Sequence, residues 1–346
     1  MIRSLCFLAT YQCNARCDYC ECGPKLRARL SLGDMVGYID QAAALGTVGQ
    51  VVFSGGEATL LGDDLFAAIG HAHARGMLTR VVTNGWWGHT PARAGAFLGR
   101  LRDAGLTEIN ISVDDLHQAW IPLERVANCV RACVDGGFKC LVVHKESREP
   151  TITKTVLERA FGLALVDFES ARTYTADEEC RLFVTGPIVP VGREPAAASA
   201  RPLRAAPCGK SCGSILRDVV IDPWHRFLVC CGIVSKGIPE LTLEDLRTSP
   251  MIDVIDAANQ DLILNWLALE GPASIARFIT EHDPAVTFDD RYVGICHLCN
   301  DIFTREDSRA VLHANAWRAR PRIALHRSFL EAARADEELS SLYVKT

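Results

Sequence analysis

The sequence predicts an α/β fold on a parallel sheet, open or closed into a barrel, followed by a small cysteine-rich extension of a hairpin and helices. Three observations predict it. Near-continuous apolar runs alternate with amphipathic stretches over the first two thirds of the chain. From the second run to the fifth they recur about every thirty residues, the span of one βα unit. Near residue 195 the texture changes to an Ala/Pro/Arg-rich linker and then to bunched cysteines. Strands covered by helices on both faces read as continuous apolar runs, so the sheet is expected to be parallel.

In chain order, the expected strands of the first part are Ser4–Thr10, Gln50–Ser54, Leu78–Thr83, Glu108–Asp114, Phe138–Lys145 and Arg181–Val189. Apolar residues three and four apart predict helices between them, over Ser31–Leu45, Asp63–Arg75, Pro91–Ala104, Pro122–Asp135 and Thr151–Gly162. Ser31 and Asp34 open the first of these and Thr90-Pro91 opens the third, while Gly76, Gly105 and Gly136 each close one. A linker, Glu194–Pro207, follows. Beyond it Ile215–Ile221 and Arg226–Val229 read as strands joined by a turn at Asp222-Pro-Trp-His225. Helices are expected over Thr242–Leu246, Ile252–Ala257, Leu262–Leu267 and Ser274–Ile279, with a terminal helix to about residue 340. This divides the chain into 1–195, 196–310 and a helical tail, 311–346.

With 346 residues, 49% of them apolar and 23% charged, the chain can bury a sizeable core. A net charge of −5 argues against a strongly basic nucleic-acid binder. No apolar run reaches the length of a bilayer span, and Leu5–Ala9 is too short for a signal-peptide core. A cytoplasmic protein with no nucleic-acid or membrane partner is therefore expected. The 15 cysteines are bunched rather than spread, and without a secretion signal metal binding is favoured over a disulfide framework.

Cys13-Asn-Ala-Arg-Cys17-Asp-Tyr-Cys20 puts three thiols on the loop after the first strand. Thiolates at this spacing converge when the backbone curls. Three of them would leave one iron of a cubane [4Fe–4S] cluster open, as a catalytic rather than a structural metal site requires. A zinc site more often pairs one CxxC with another, and no second pair lies near. Ser54-Gly-Gly-Glu57 follows the second strand, Thr83-Asn-Gly85 the third, and Ser112-Val-Asp-Asp115 ends the fourth. In this order the motifs resemble the radical SAM superfamily, over Leu5 to about Arg193.

The resemblance implies a partial (β/α)6 barrel with its chemistry at the C-terminal ends of the strands. It implies that Cys13, Cys17 and Cys20 bind a [4Fe–4S] cluster, and that S-adenosylmethionine chelates the open iron. One electron, from a donor such as flavodoxin or ferredoxin, would then release a 5′-deoxyadenosyl radical that abstracts hydrogen from substrate. Gly55 and Gly56 would allow close approach of the methionine moiety, and Glu57 would face its ammonium. Asn84, Ser112 and Asp114 would contact ribose or carboxylate. Taken alone, each of these motifs is also an ordinary turn or helix cap.

Cys208, Cys212, Cys230, Cys231, Cys296 and Cys299 follow the linker. They resemble the SPASM or shorter twitch extensions that hold auxiliary clusters. The 17 residues between Cys212 and Cys230 fit that spacing, but His225 stands where a glycine is expected, and position 305 is Arg where a further cysteine would fall. Six thiols are too few for two fully ligated cubanes, so one auxiliary [4Fe–4S] cluster on Cys212, Cys230, Cys296 and Cys299 is expected. The alternatives are that Cys208 or Cys231 takes a place in that set, or that the same cysteines form a structural zinc ribbon.

A spare thiol near a radical centre can return a hydrogen atom to substrate. Cys231 is the first candidate, with Cys22 and Cys140 behind it. Cys6, Cys129 and Cys133 read as core, and Cys180 carries no argued role. His117 is a candidate proton donor. Trp86-Trp87 either walls the pocket or packs a helix. Glu21, Lys145 and Glu146 are expected near strand tops, and Arg193 is expected to be architectural. The substrate is expected to be a ribosomally made peptide, epimerised, crosslinked or joined through a thioether. Against a peptide, with the first strand expected from residue 4, no N-terminal recognition domain is expected. A sugar, nucleoside or amino-acid derivative is the alternative, and a non-catalytic electron carrier a third.

Overall fold

A computed structural model of the chain describes residues 1–20, 22, 27–146, 149–190, 208–232, 235–289 and 291–335. The linker and Arg193, with the boundary drawn near residue 195, lie outside the described residues, as does Glu21. The strands are β1 Ser4–Thr10, β2 Gln50–Gly55, β3 Leu78–Thr83, β4 Glu108–Ser112, β5 Cys140–Glu146, β6 Val166–Asp167, β7 Leu182–Pro187, β8 Asp218–Ile221, β9 Arg226–Leu228 and β10 Thr242–Asp245. They form one open sheet in the order β10-β9-β8-β1-β2-β3-β4-β5-β7-β6.

The run from β8 to β6 is parallel throughout, as the near-continuous apolar strands predict. Phe7 and Phe53 are fully buried partners across β1 and β2, with ring centroids 5.8 Å apart. Burying each contributes about 2–3 kcal/mol. Helices α1 Leu32–Ala44, α2 Asp63–Ala74, α3 Pro91–Asp103, α4 Asp115–Gln118, α5 Leu123–Asp135, α6 Lys154–Phe161 and α7 Ala176–Glu179 connect the parallel strands. Ser31 and Asp34 make a capping box on α1, and Thr90 caps α3 ahead of Pro91.

The extension joins the same sheet. β8 pairs parallel with β1, from Ser4↔Asp218 to Phe7↔Ile221, and the β8–β9 hairpin continues antiparallel to β10. This brings the turn between β8 and β9 to the end of β1 where the cysteine loop begins. Five further helices follow: α8 Met251–Gln260, α9 Leu262–Glu270, α10 Pro272–His282, α11 Ile295–Thr304 and α12 Glu306–Asn315. They are followed by α13 Arg320–Ala335. Among the described residues no single helix is long and apolar enough to cross a membrane.

Three expectations change. Thr242–Leu246 is not a helix; four of its residues are strand β10, because β9 offers an unpaired edge and so short a segment carries no decisive period. The terminal helix is broken, since Arg305 takes an extended conformation (φ −81°, ψ 128°) that stops α11, and a 3₁₀ turn at Ala316–Ala319 separates α12 from α13. The sixth expected strand shortens to β7, with two-residue β6 beside it.

His225, in the turn between β8 and β9, has φ +64°. It thus adopts the left-handed conformation for which a glycine would be the usual choice. Its Nδ1 lies 2.9 Å from the Tyr38 hydroxyl, and its N–H donates to the Asp222 carbonyl at 2.8 Å. Those two bonds hold the turn in place of a glycine's freedom.

Candidate active site

The loop after β1 carries Cys13 and Cys20 half-buried and Cys17 buried. Its root is clamped by the turn after β2. Gly56 N–H donates to the Thr10 carbonyl at 2.6 Å, and Glu57 N–H to that of Gln12 at 2.9 Å. A Cβ on Gly55 would lie 2.3 Å from the Thr10 oxygen, and one on Gly56 2.3 Å from the Gln12 oxygen. Gly55 also has φ +137°. Both glycines are therefore demanded by the chain's own backbone, a nearer reason than room for a methionine moiety.

Glu57 is buried, and its carboxylate is occupied from within. Oε1 accepts from the hydroxyls of Thr59 (2.5 Å) and Thr83 (2.7 Å) and from Thr59 N–H, while Oε2 accepts from Asn84 N–H at 2.8 Å. Burial lifts its pKa, and these donors oppose the shift. Glu57 thus ties the β2 turn to the end of β3. Asn84 in turn donates from Nδ2 to Asn14 Oδ1 at 2.9 Å, which fixes the cysteine loop from a second side.

Asp114 follows β4 and caps α4, its Oδ1 accepting from the N–H groups of Leu116 and His117. Its Oδ2 lies 2.8 Å from His117 Nδ1 and accepts from the Tyr19 hydroxyl at 3.0 Å. Burial would raise the Asp114 pKa, but the hydrogen bonds and charge of His117 and the Tyr19 hydroxyl hold it below the usual carboxylate value. Tyr19 is itself pushed far up by burial and by Asp114. The helix-cap and pocket readings of Asp114 therefore coexist in one residue.

A cavity of about 330 Å³ brings these residues together. Cys13, Cys17, Cys20, Gly55, Gly56, Glu57, Asn84, Ser112, Asp114 and His117 border it from β1 to β4. Lys145 borders it from β5, and Cys231 from the segment after β9. Burial pushes the Cys17 thiol up to about 12, helped by the charges of Asp114, Cys20 and Cys13.

The later cysteines assemble elsewhere. Burial pushes Cys230 up to about 12, with Cys212, Cys231 and Cys296 as charged neighbours. Cys299 is raised by burial and by Cys230, Cys212 and Cys296. A Cβ on Gly232 would lie 3.2 Å from Cys230 Sγ and 3.7 Å from Cys296 Sγ. Cys212 is anchored through its N–H to the Leu267 carbonyl of α9 at 3.0 Å. Among the described residues, no three His, Cys, Asp or Glu side chains converge as a single metal ion requires.

Several expected positions fall away from the cavity, and others join it. Cys140 is buried beside Cys133 in the core. Trp86 donates to Thr59 Oγ1 at 2.8 Å, and Trp87 stacks on Phe97 at 4.8 Å, so both pack rather than wall the pocket. Cys6, read as core, borders the cavity, as does Cys22, whose thiol donates to the Gly55 carbonyl at 3.1 Å. Lys236 was not foreseen: its Nζ lies 3.5 Å from Cys22 Sγ. No local signal marks it, because its contacts, with Cys22 and the Tyr11 ring, are with residues more than two hundred positions away in the chain.

Residues 7–149 match the family model described as the radical SAM superfamily. Over 113 residues, 32% of this chain, the sequence is 34% identical to a PqqA peptide cyclase of Xanthomonas campestris pv. campestris (strain B100). The same figures hold for that of Xanthomonas axonopodis pv. citri (strain 306). These matches span 28% of the length of the curated relatives. Among solved structures, native anSMEcpe with bound AdoMet and Kp18Cys peptide has a TM-score of 0.52 at 11% identity, covering 95% of this chain and 100% of that one. Streptococcus suis SuiB bound to S-adenosylmethionine has a TM-score of 0.51 at 14% identity, covering 73% and 65%. At such identities the likeness establishes the fold alone.

Proposed function

From a radical SAM domain at residues 7–149, we propose that the whole chain is a radical S-adenosylmethionine enzyme that modifies a ribosomally made peptide at an unactivated carbon. The carrying observation is one cavity bordered by Cys13, Cys17 and Cys20 together with Gly55–Glu57 and the ends of β3, β4 and β5. The peptide substrate is supported by the relatives: a peptide cyclase by sequence, and by fold a protein whose structure holds a bound peptide.

When bound, a [4Fe–4S] cluster with S-adenosylmethionine would supply a 5′-deoxyadenosyl radical that takes hydrogen from the substrate. The residues present fit it. Three thiols from one loop face the cavity, and Ala15 N–H donates to Cys13 Sγ at 3.3 Å, a bond that holds that sulfur in place. Ser112 and Lys145, at neighbouring strand ends, offer a hydroxyl and an ammonium to a carboxylate. Asn84 and the Gly55-Gly56 clamp keep the loop in place.

Cys212, Cys230, Cys296 and Cys299 would hold one auxiliary [4Fe–4S] cluster. A zinc ion binds thiolates at about 2.3 Å and would need them to converge on one point. Cys231 borders the cavity beside this set and is the candidate for returning a hydrogen atom if the reaction is an epimerisation. A flavodoxin or ferredoxin would deliver the electron.

The test is direct. Anaerobically reconstituted protein with dithionite is expected to cleave S-adenosylmethionine to 5′-deoxyadenosine, and Cys17→Ala is expected not to. Equal cleavage by the variant refutes the proposal.

A further inference from the structure

The side chains of Tyr19, Asp114 and His117 meet at one point of the cavity wall. His117 Nδ1 is 2.8 Å from Asp114 Oδ2, and the Tyr19 hydroxyl is 3.0 Å from each of them. Asp114 cannot turn away, since its other oxygen caps α4 through two backbone N–H groups at 2.9 and 3.0 Å.

This geometry fixes the histidine tautomer. A carboxylate only accepts hydrogen bonds. If Nδ1 carried a lone pair, two acceptors would face each other at 2.8 Å, so the proton must sit on Nδ1. The Tyr19 hydroxyl then donates to Asp114. When the ring is neutral its lone pair therefore lies on Nε2, for which no partner exists among the described residues, and the ring borders the cavity. The depressed pKa of Asp114 agrees, because a buried carboxylate that stays ionised keeps that orientation.

We propose that His117 is the base of the cavity, oriented by Asp114 so that Nε2 takes a proton from the substrate group that bonds to the carbon radical. The inference rests on the peptide-modification reading and narrows it to bond formation, a crosslink or a thioether. After a hydrogen atom has left a substrate carbon, that carbon bonds to a neighbouring atom X, and the X–H proton passes to Nε2. The remaining electron leaves to a one-electron acceptor of the iron–sulfur class. One C–H and one X–H bond break, one C–X bond forms, and the substrate is oxidised. Epimerisation, by contrast, needs a hydrogen atom returned and no base. Tyr19 and Asp114 act through His117 and are positioning residues.

The experiment uses the full chain without iron or S-adenosylmethionine, so its outcome is separate from that of the deoxyadenosine assay. In protein labelled with nitrogen-15 at histidine, the His117 signals are identified by their loss in His117→Gln. At a pH where the ring is neutral they are expected to show the proton on Nδ1, and diethyl pyrocarbonate is expected to carbethoxylate that ring at Nε2. Asp114→Asn keeps an oxygen for the α4 cap but loses the carboxylate. It is expected to move the proton to Nε2 and slow the carbethoxylation at least tenfold. Tyr19→Phe leaves Asp114 in place, and Nδ1 is expected to stay protonated. A wild-type ring protonated at Nε2, or an Asp114→Asn protein with wild-type tautomer and rate, overturns the assignment. If Asp114→Asn does not fold, a Tyr19→Phe protein that loses the Nδ1 proton overturns it equally.

Discussion

Cys13, Cys17 and Cys20 come from one loop, whereas Cys212, Cys230, Cys296 and Cys299 come from three separate segments. The first group is fixed by backbone clamps from a neighbouring strand turn, Gly56 to Thr10 and Glu57 to Gln12. The second depends on α9 holding Cys212, on the β8–β9 hairpin presenting Cys230, and on α11 carrying Cys296 and Cys299. A site made from one loop needs close backbone approach, so it tolerates no added atom there. A site made from distant segments needs correct packing of whole elements, so it is sensitive to contacts between them. The two are joined by Tyr11, just before the cysteine loop, whose hydroxyl donates to buried Asp222 in the turn of the hairpin at 3.1 Å.

The largest effect is expected at the proposed ligands. Reconstituted wild-type protein is expected to bind about eight iron atoms per chain, and Cys17→Ala and Cys299→Ala each about four. Iron analysis giving four in the wild type would leave the comparison without its second member. Next comes the clamp. Gly56→Ala is expected to destabilise by about 3 kcal/mol in urea unfolding, since its Cβ would strike the Gln12 backbone, whereas Gly213→Ala, with open space around it, is expected to change stability by less than about 0.5 kcal/mol. Equal effects would remove the distinction between the two construction modes.

The link between the regions should matter less. Tyr11→Phe is expected to cost about 1–2 kcal/mol, because Asp222 keeps its ion pair with Arg226 but loses one donor. A smaller, pH-dependent effect is expected at Glu240, which pairs with Arg309 and His313 of α12. Burial would raise its pKa, but His313 and Arg309 hold it below the ordinary value. The stabilisation is therefore complete above the unfolded-state pKa and is lost as pH falls through the lower folded-state value. Melting curves from pH 6 down to 3 should show Glu240→Gln losing less stability than the wild type over that fall. Smallest is His225→Gly, where relief of about 1 kcal/mol of left-handed strain offsets about 1 kcal/mol from the Tyr38 hydrogen bond. A loss well above that would mean the histidine has a further role in the turn.

The sheet was legible because most of its parallel strands are largely apolar runs between amphipathic helices; β1 and β3 have the bounds that their apolar runs suggest, whereas two-residue β6 left no such run. Thr242–Asp245 was not legible, because a four-residue edge strand is defined by its partner rather than its own pattern. The cavity's motif residues could be named in sequence because each sits just after a strand, where a parallel sheet gathers them. Cys6 and Lys236 could not. A strand inside a sheet does not reveal which of its residues borders a cavity, and Lys236 meets Cys22 from a segment more than two hundred residues away.

The sequence by itself determined the parallel core, the order of its strand-end motifs and the eight-residue cysteine loop, all features whose signals lie within a few neighbouring residues. Only the tertiary structure decided that the extension continues the same sheet, that Gly55 and Gly56 make room for the backbone of β1, and that Tyr19, Asp114 and His117 share one contact. Those depend on which backbone atoms approach within hydrogen-bonding or van der Waals distance across separate segments. Local propensity carries no record of such distances.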